Sequence, residues 1–230
     1  MSIFTKTKQR FRRHKLKQLG IEPVSCNTSV LYGGDHGWVI DKSLINGDSI
    51  IYSVGVGSNI DFDLELINSL EVTVHAFDPT PRSIEWVESQ QLPKHFIFHP
   101  IGLSSENGYM NFFPPSRTSS AHFSPVDRYG NSNNVVKAPV KNLDTIASEL
   151  NHKKIDLLKI DIEGGEYDVI KTLPQSKITI NQILIEFHHM FKSIPISETV
   201  DAIATLNNLG FELFNISQRT YEFSFRRRGI

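Results

Sequence analysis

A single cysteine, Cys26, stands in 230 residues, so no internal disulfide can staple the chain. No Cys/His spacing of the zinc-site type occurs. No apolar stretch approaches the roughly 18–20 residues that span a membrane, and the N-terminus lacks a signal-peptide apolar region. No internal repeat is visible. Residues 1–20 contain no acid at all. These absences argue against a disulfide scaffold, a zinc module, a transmembrane protein and a solenoid. With one unpaired thiol and no export signal, a cytoplasmic location is expected.

What is present fits one ordinary α/β domain with a sizeable core, at 39% hydrophobic and 21% charged residues. The net charge of −1 hides an asymmetry. Lys6, Lys8, Arg10, Arg12, Arg13, Lys15 and Lys17 crowd the first twenty residues, leaving 17 basic against 25 acidic side chains in the remainder. Residues 1–20 therefore read as a basic arm or a solvated, partly frayed helix, open to peripheral contact with anionic lipid or an acidic partner. The acidic body argues against nucleic acid as the main substrate, because phosphate binding wants a broad basic face. A homo-oligomer is compatible with the chain.

Residues 21–48, rich in Gly, Asn, Ser and Asp, read as an irregular entry segment. Regular alternation starts at 49 and runs to 228. Strands are expected at Ser49–Gly55, Val72–Phe77, Phe96–Leu103, Ile155–Ile160 and Gln182–Phe187. Helices are expected at Asp61–Leu70, Pro81–Gln91, Leu143–Leu150, Glu166–Leu173 and Ser197–Leu209. A short added strand at Tyr109–Phe113 precedes a long loop, Pro114–Asn134, with the character of a lid or binding loop. Phe211–Ile216 and Tyr221–Phe225 form a closing hairpin. This order predicts a seven-stranded, mostly parallel sheet covered by helices on both faces, its last strand antiparallel.

Two places carry chemistry. The first is the turn Ser53-Val54-Gly55-Val56-Gly57-Ser58-Asn59, where glycines permit close backbone approach before a helix start. Ile60 occupies the third glycine position of a dinucleotide fingerprint, which weakens a nicotinamide reading. Asp78, 21 residues beyond Gly57, ends the second strand before Pro79, Thr80 and Pro81. A carboxylate there can accept both hydroxyls of an adenosine ribose, or cap the helix that follows. Together, turn and acid point to an adenosine-containing ligand.

The second place is Leu157–Glu166. An apolar run ends abruptly in Asp161 and Glu163, then Gly164-Gly165, then Glu166. The fifth strand likewise ends in Glu186, His188 and His189. Parallel strands ending on one edge bring Asp161, Glu163, Glu186, His188 and His189 towards one pocket. Two chemistries are open. A histidine helped by a carboxylate can remove a proton from a hydroxyl, or Asp161, Glu186 and His188 can hold a divalent cation that acidifies it. Glu166 reads as a complement to its own helix N-terminus. Lys159 is out of place inside a strand, and either reaches the rim or pairs with a carboxylate. Ser119, Ser120 and His122 in the long loop are placed to cover the pocket.

Leu158-Lys159-Ile160-Asp161-Ile162-Glu163-Gly164-Gly165-Glu166 resembles the signature of the FkbM-type methyltransferases, K-x-D-[IVC]-E-G-x-E. The glycine turn, Asp78, Gly102 and Gly108 around the third strand, and Glu186-Phe187-His188 follow the same order. The resemblance covers about residues 48–226. It implies a class I (Rossmann-like) methyltransferase domain over 49–228 that uses S-adenosylmethionine to O-methylate a hydroxyl of a sugar, glycan or related small molecule. It also implies that Ser53, Gly55, Val56, Gly57, Asn59, Asp78, Pro79, Thr80, Gly102 and Asp161 line the cofactor site. Asp161, Glu163 and His188 would then serve catalysis. One departure stands out. Many methyltransferases place an acid two residues before the first glycine to hold the methionine amine, and Ser53 occupies that position here, with Asn59 or Asp61 as substitutes. The competing readings are an NAD-dependent oxidoreductase and a non-catalytic module that keeps the fold as an interaction scaffold.

Overall fold

The computed structural model describes residues 3–116, 121–130 and 134–229. It begins with helix α1 (Ile3–Gln18) and a hairpin of β1 (Ser29–Tyr32) and β2 (Trp38–Asp41). Then follow β3 (Ile50–Val54), α2 (Asp61–Leu70), β4 (Thr73–Phe77), α3 (Pro81–Glu88) and β5 (Phe96–His99). Three strands come next, β6 (Gly102–Leu103), β7 (Gly108–Phe112) and β8 (Val136–Lys141). The chain continues through α4 (Leu143–Glu149), β9 (Lys154–Ile160), α5 (Glu166–Thr172), β10 (Thr179–Glu186), α6 (Ile196–Asn208), β11 (Phe211–Ile216) and β12 (Glu222–Arg227).

The main sheet has the order β11-β12-β10-β9-β3-β4-β5. Its inner pairs are parallel, and β12 runs antiparallel to both β10 and β11. The expected fold class holds. Residues of β9 and β10 are buried on both faces, as a parallel strand under two helical layers must be. On one face Leu158, Ile160, Ile183 and Ile185 pack with Ile146 of α4, Ile170 of α5 and Leu206 of α6. On the other, Ile51, Ala76 and Leu157 pack with Phe62 and Leu66 of α2, Val87 of α3 and Trp38 of the hairpin.

Three sequence expectations are corrected. The segment 21–48 is not irregular throughout, because β1–β2 form an antiparallel hairpin. Polar residues anchor it. Gln182 of β10 exchanges two hydrogen bonds with the Asp41 backbone, and Arg226 of β12 pairs with the Asp41 carboxylate at 2.7 Å. The third strand stops at His99, before Pro100, which has no N–H for a ladder. Gly102–Leu103 instead joins a three-stranded sheet with β8 and β7. Strand β8 was not expected, because Pro139 interrupts an otherwise alternating Val136, Ala138, Val140 pattern. Of the two forms expected for residues 1–20 the helix is found, as α1, and it is docked on the body. Leu16 joins the core, Arg13 donates to the Ile216 and Ser217 carbonyls, and Arg12 lies 4.7 Å from the Tyr221 ring. Among the described residues no helix is long and apolar enough to cross a membrane.

Candidate active site

The C-terminal ends of β3, β4, β9 and β10 open into a cavity of about 940 Å³, large enough for a cofactor with part of an acceptor. The glycine turn, Asp78, the Asp161–Gly165 segment, Glu186 and His188 line it, together with Trp38 from the hairpin.

The two glycines of the turn differ in kind. Gly55 has φ +86°, and a Cβ there would sit 1.7 Å from the Asp161 carbonyl oxygen. Asp161 N in turn donates to Val54 O at 3.0 Å, so Gly55 is required by strand packing. Gly57 has φ +57°, and a Cβ there would meet nothing within 4 Å. Its backbone faces open cavity. Gly102 lines the cavity but is fixed by packing, since a Cβ would lie 2.9 Å from Pro79 Cγ. Asn59 lies on the rim, its side chain accepting from Asp61 N at 2.8 Å.

Asp78 is buried and fully engaged. Oδ2 accepts from Val56 N (3.1 Å) and Gly57 N (3.0 Å), while Oδ1 accepts from Thr80 N (2.9 Å) and Thr80 Oγ1 (2.7 Å). A carboxylate has about four acceptor sites, and all are used. Asp78 therefore ties the second strand end to the glycine turn. Ser53 is buried beneath the floor, and its hydroxyl makes no hydrogen bond.

At the other end of the cavity the charges concentrate. His188 Nδ1 lies 3.2 Å from Glu166 Oε1, and Nε2 faces Glu163 at 3.6 Å and Asp161 at 3.9 Å. Glu166 is wholly buried and also accepts from the backbone N–H groups of His188 and Gly164, each at 2.9 Å. Burial opposes a charge on His188, yet Glu166, Glu163 and Asp161 outweigh it and push its pKa up to about 10. Burial and the nearby Asp161 push Glu186 up to about 8. Burial likewise raises Asp161, against the pull of Lys159 and His188. Glu163 is held low despite burial by the His122 hydrogen bond, His188 and Arg128. Its backbone adopts φ +52°, uncommon for a non-glycine residue, and so turns the chain sharply at the strand end. Asp161, Glu186 and His188 each offer one ligand atom within 4.8 Å of the others.

The described part of the long loop closes over this cluster. Ser124 Oγ donates to the Glu163 carbonyl at 2.6 Å, Arg128 pairs with Glu163 at 2.9 Å, and His122 Nδ1 lies 3.0 Å from the same carboxylate. The Arg128 guanidinium also stacks 4.5 Å from the Phe191 ring. Ser119 and Ser120 lie outside the described residues.

The strand-end residues expected to meet do so with one exception. His189 points away towards α1 and α6, with Nδ1 3.1 Å from Thr199 Oγ1. Burial and the charge on His188 lower its pKa to about 4. Sequence reasoning missed Arg128 and Trp38, which arrive through a loop and an unforeseen hairpin, and it underread Glu166. The signal for Glu166 was its position three residues after Glu163, across a Gly-Gly turn that folds it back under the strand end.

The seven-stranded sheet closed by an antiparallel strand, with a glycine turn facing strand-end carboxylates, defines a methyltransferase-like α/β fold. A family model, Methyltransferase FkbM domain, matches residues 54–213, and the chain belongs to that family. It is 27% identical over 141 residues to the human "Probable methyltransferase-like protein 24", covering 60% of this chain and 32% of that protein. It is 27% identical over 146 residues to "Hexuronic acid methyltransferase AglP" of Haloferax volcanii, covering 61% of this chain and 56% of that protein. The chain thus spans about a third to about half of the curated relatives it matches. Among solved structures, the Methanococcus jannaschii fibrillarin pre-rRNA processing protein aligns with TM-score 0.46 at 12% identity, over 80% of this chain and 69% of that one.

Proposed function

We propose that this protein is an S-adenosylmethionine-dependent O-methyltransferase acting on a hydroxyl of a sugar, glycan or related small molecule. The observation that carries the reading is one cavity holding both an open glycine turn at Gly57 and the Asp161–Glu186–His188 cluster. The relative named a hexuronic acid methyltransferase supports a sugar acceptor. Family membership leaves the oxidoreductase reading without a supporting observation.

The residues present fit the cofactor. Gly57 leaves room against the backbone, and the cavity lining includes Asp63, whose buried Oδ1 has no partner. Gly55, Val56, Gly57, Asn59, Asp78, Pro79, Thr80 and Gly102 would form the cofactor side, with Asp78 fixing the turn. Direct contact of Asp78 with a ribose requires it to release one of its four donors. When bound, the cofactor supplies the methyl group for in-line transfer and departs as a neutral thioether. The chain supplies alignment and a proton acceptor. His188 is a poor acceptor at neutral pH, because it already carries its proton. That role passes to the carboxylates. Glu186, with its pKa near 8, lies close to the working range of a general base. Asp161 and Glu163 then bind and orient the hydroxyl, and the His188 imidazolium holds their charges in place.

The same donors suit a divalent cation. Glu166 on Nδ1 leaves His188 Nε2 free to ligate beside Asp161 and Glu186, the usual carboxylate–histidine support of a metal ligand. Loading would displace the imidazolium proton and acidify the acceptor hydroxyl. Two experiments test the proposal. S-Adenosylhomocysteine binding by calorimetry should be measurable on the folded protein, and no binding removes the cofactor assignment. Transfer measured with and without chelator separates the carboxylate from the metal route.

A further inference from the structure

The missing acid at Ser53 leaves the methionine end of the proposed cofactor without its usual partner, and the fold places another acid there. Ser53 pairs in register with Lys159 on β9 and Ala76 on β4, so all three face helix α2. Asp63, in the first turn of α2, reaches this layer from above. It lines the cavity, is 2% exposed, and its Oδ1 has no hydrogen-bond partner. The Ser53 hydroxyl lies beside it and pulls its pKa down, but the two do not reach hydrogen-bond geometry. Lys159 is 6% exposed, donates to Gly55 O at 3.1 Å and lies 5.5 Å from the Trp38 ring. Its charge acts on Asp63, yet the two form no ion pair.

A buried carboxylate and a buried ammonium, kept apart at one end of a cavity, are unfavourable unless something sits between them. An α-amino acid zwitterion carries the complementary pair of charges. We propose that Asp63 accepts the α-ammonium of the cofactor's methionine end, in place of the absent strand-β3 acid, with Lys159 facing its carboxylate. Burial raises the Asp63 pKa against the pull of Lys159, so an arriving ammonium favours the ionised carboxylate. The favourable N-terminus of α2 explains an acid at this position, but not its unpartnered oxygen.

This inference rests on the cofactor reading above, and its test separates the two. Calorimetry compares S-adenosylhomocysteine with 5′-methylthioadenosine, which lacks the amino-acid end, on the wild type and Asp63→Asn. The variant should bind S-adenosylhomocysteine roughly ten- to a hundredfold more weakly, the range of one charged hydrogen bond, and methylthioadenosine within about twofold of wild type. Unchanged S-adenosylhomocysteine affinity in Asp63→Asn overturns the assignment. If the wild type binds neither compound, the cofactor reading fails and this inference goes with it. Should the variant not fold, wild type titrated with S-adenosylhomocysteine lacking its α-amino group gives the same answer: affinity within about twofold of the parent compound overturns it.

Discussion

The two ends of the cavity solve burial in opposite ways. At the tip of the glycine turn one carboxylate satisfies its neighbours, Asp78 taking four donors from Val56, Gly57 and Thr80. At the ends of β9 and β10 the charges remain coupled, three carboxylates around one imidazolium, with pKa values displaced upward for His188, Asp161 and Glu186. A satisfied network holds shape, whereas a coupled one holds protons ready to move. Under the proposed function the difference separates a binding end from a reacting end. Neighbouring His188 and His189 make the same point within two residues. One is pushed up to about 10 by its acids and the other down to about 4 by burial.

The largest expected effect is at the reacting end. Asp161→Asn and His188→Gln should each lower transfer by roughly a hundredfold or more, the scale of a reacting hydroxyl that is no longer held in place, with near-native circular dichroism. Gly55→Ala should follow. Its Cβ overlaps the Asp161 carbonyl, so we expect poor folding or a loss of several kcal/mol, about the scale of a backbone clash with no room to relax. Gly57→Ala meets open space and should cost only about 1–2 kcal/mol for its positive φ, while weakening cofactor binding. Equal destabilisation by the two glycine variants in urea melts would erase the distinction between packing and binding glycines.

Stability against pH is the next probe. The folded pKa of His188 is raised, so its contribution is complete below about 6.5, the unfolded value, and fades as pH rises to about 10. Glu186 acts in the same direction between 4.5 and about 8, because the fold prefers it protonated. The melting temperature should therefore fall from pH 6.5 to 10, and His188→Gln should flatten that slope. The smallest effect is expected from Arg128→Ala. Removing its pairing with Glu163 and stacking on Phe191 should raise KM several-fold and change kcat less, if the loop closes over the acceptor.

Much of this was legible in the chain. The strand runs Ile50–Val54 and Leu157–Ile160, each ending in a change of residue type, marked both the sheet and its functional edge. The carboxylates of the fourth and fifth strands could be brought together because parallel strands share an edge. Three things were hidden. The entry hairpin depends on Gln182 and Arg226, more than 140 residues away from Asp41, and no local pattern carries that. The protonated state of His188 depends on Glu166 reaching under the strand end. The freedom of Gly57 and the constraint on Gly55 look identical in sequence and differ only in what stands opposite.

The most direct measurement is transfer of a labelled methyl group from S-adenosylmethionine to a panel of hexuronic acids, sugar nucleotides and glycans, run with wild type and Asp161→Asn side by side. The account predicts labelled product from at least one hydroxyl-bearing acceptor with the wild type, and a roughly hundredfold lower rate with the variant, whose acceptor is no longer held in line. Equal turnover by both proteins would contradict the site. Binding of S-adenosylhomocysteine without transfer to any acceptor would favour a non-catalytic role for the fold.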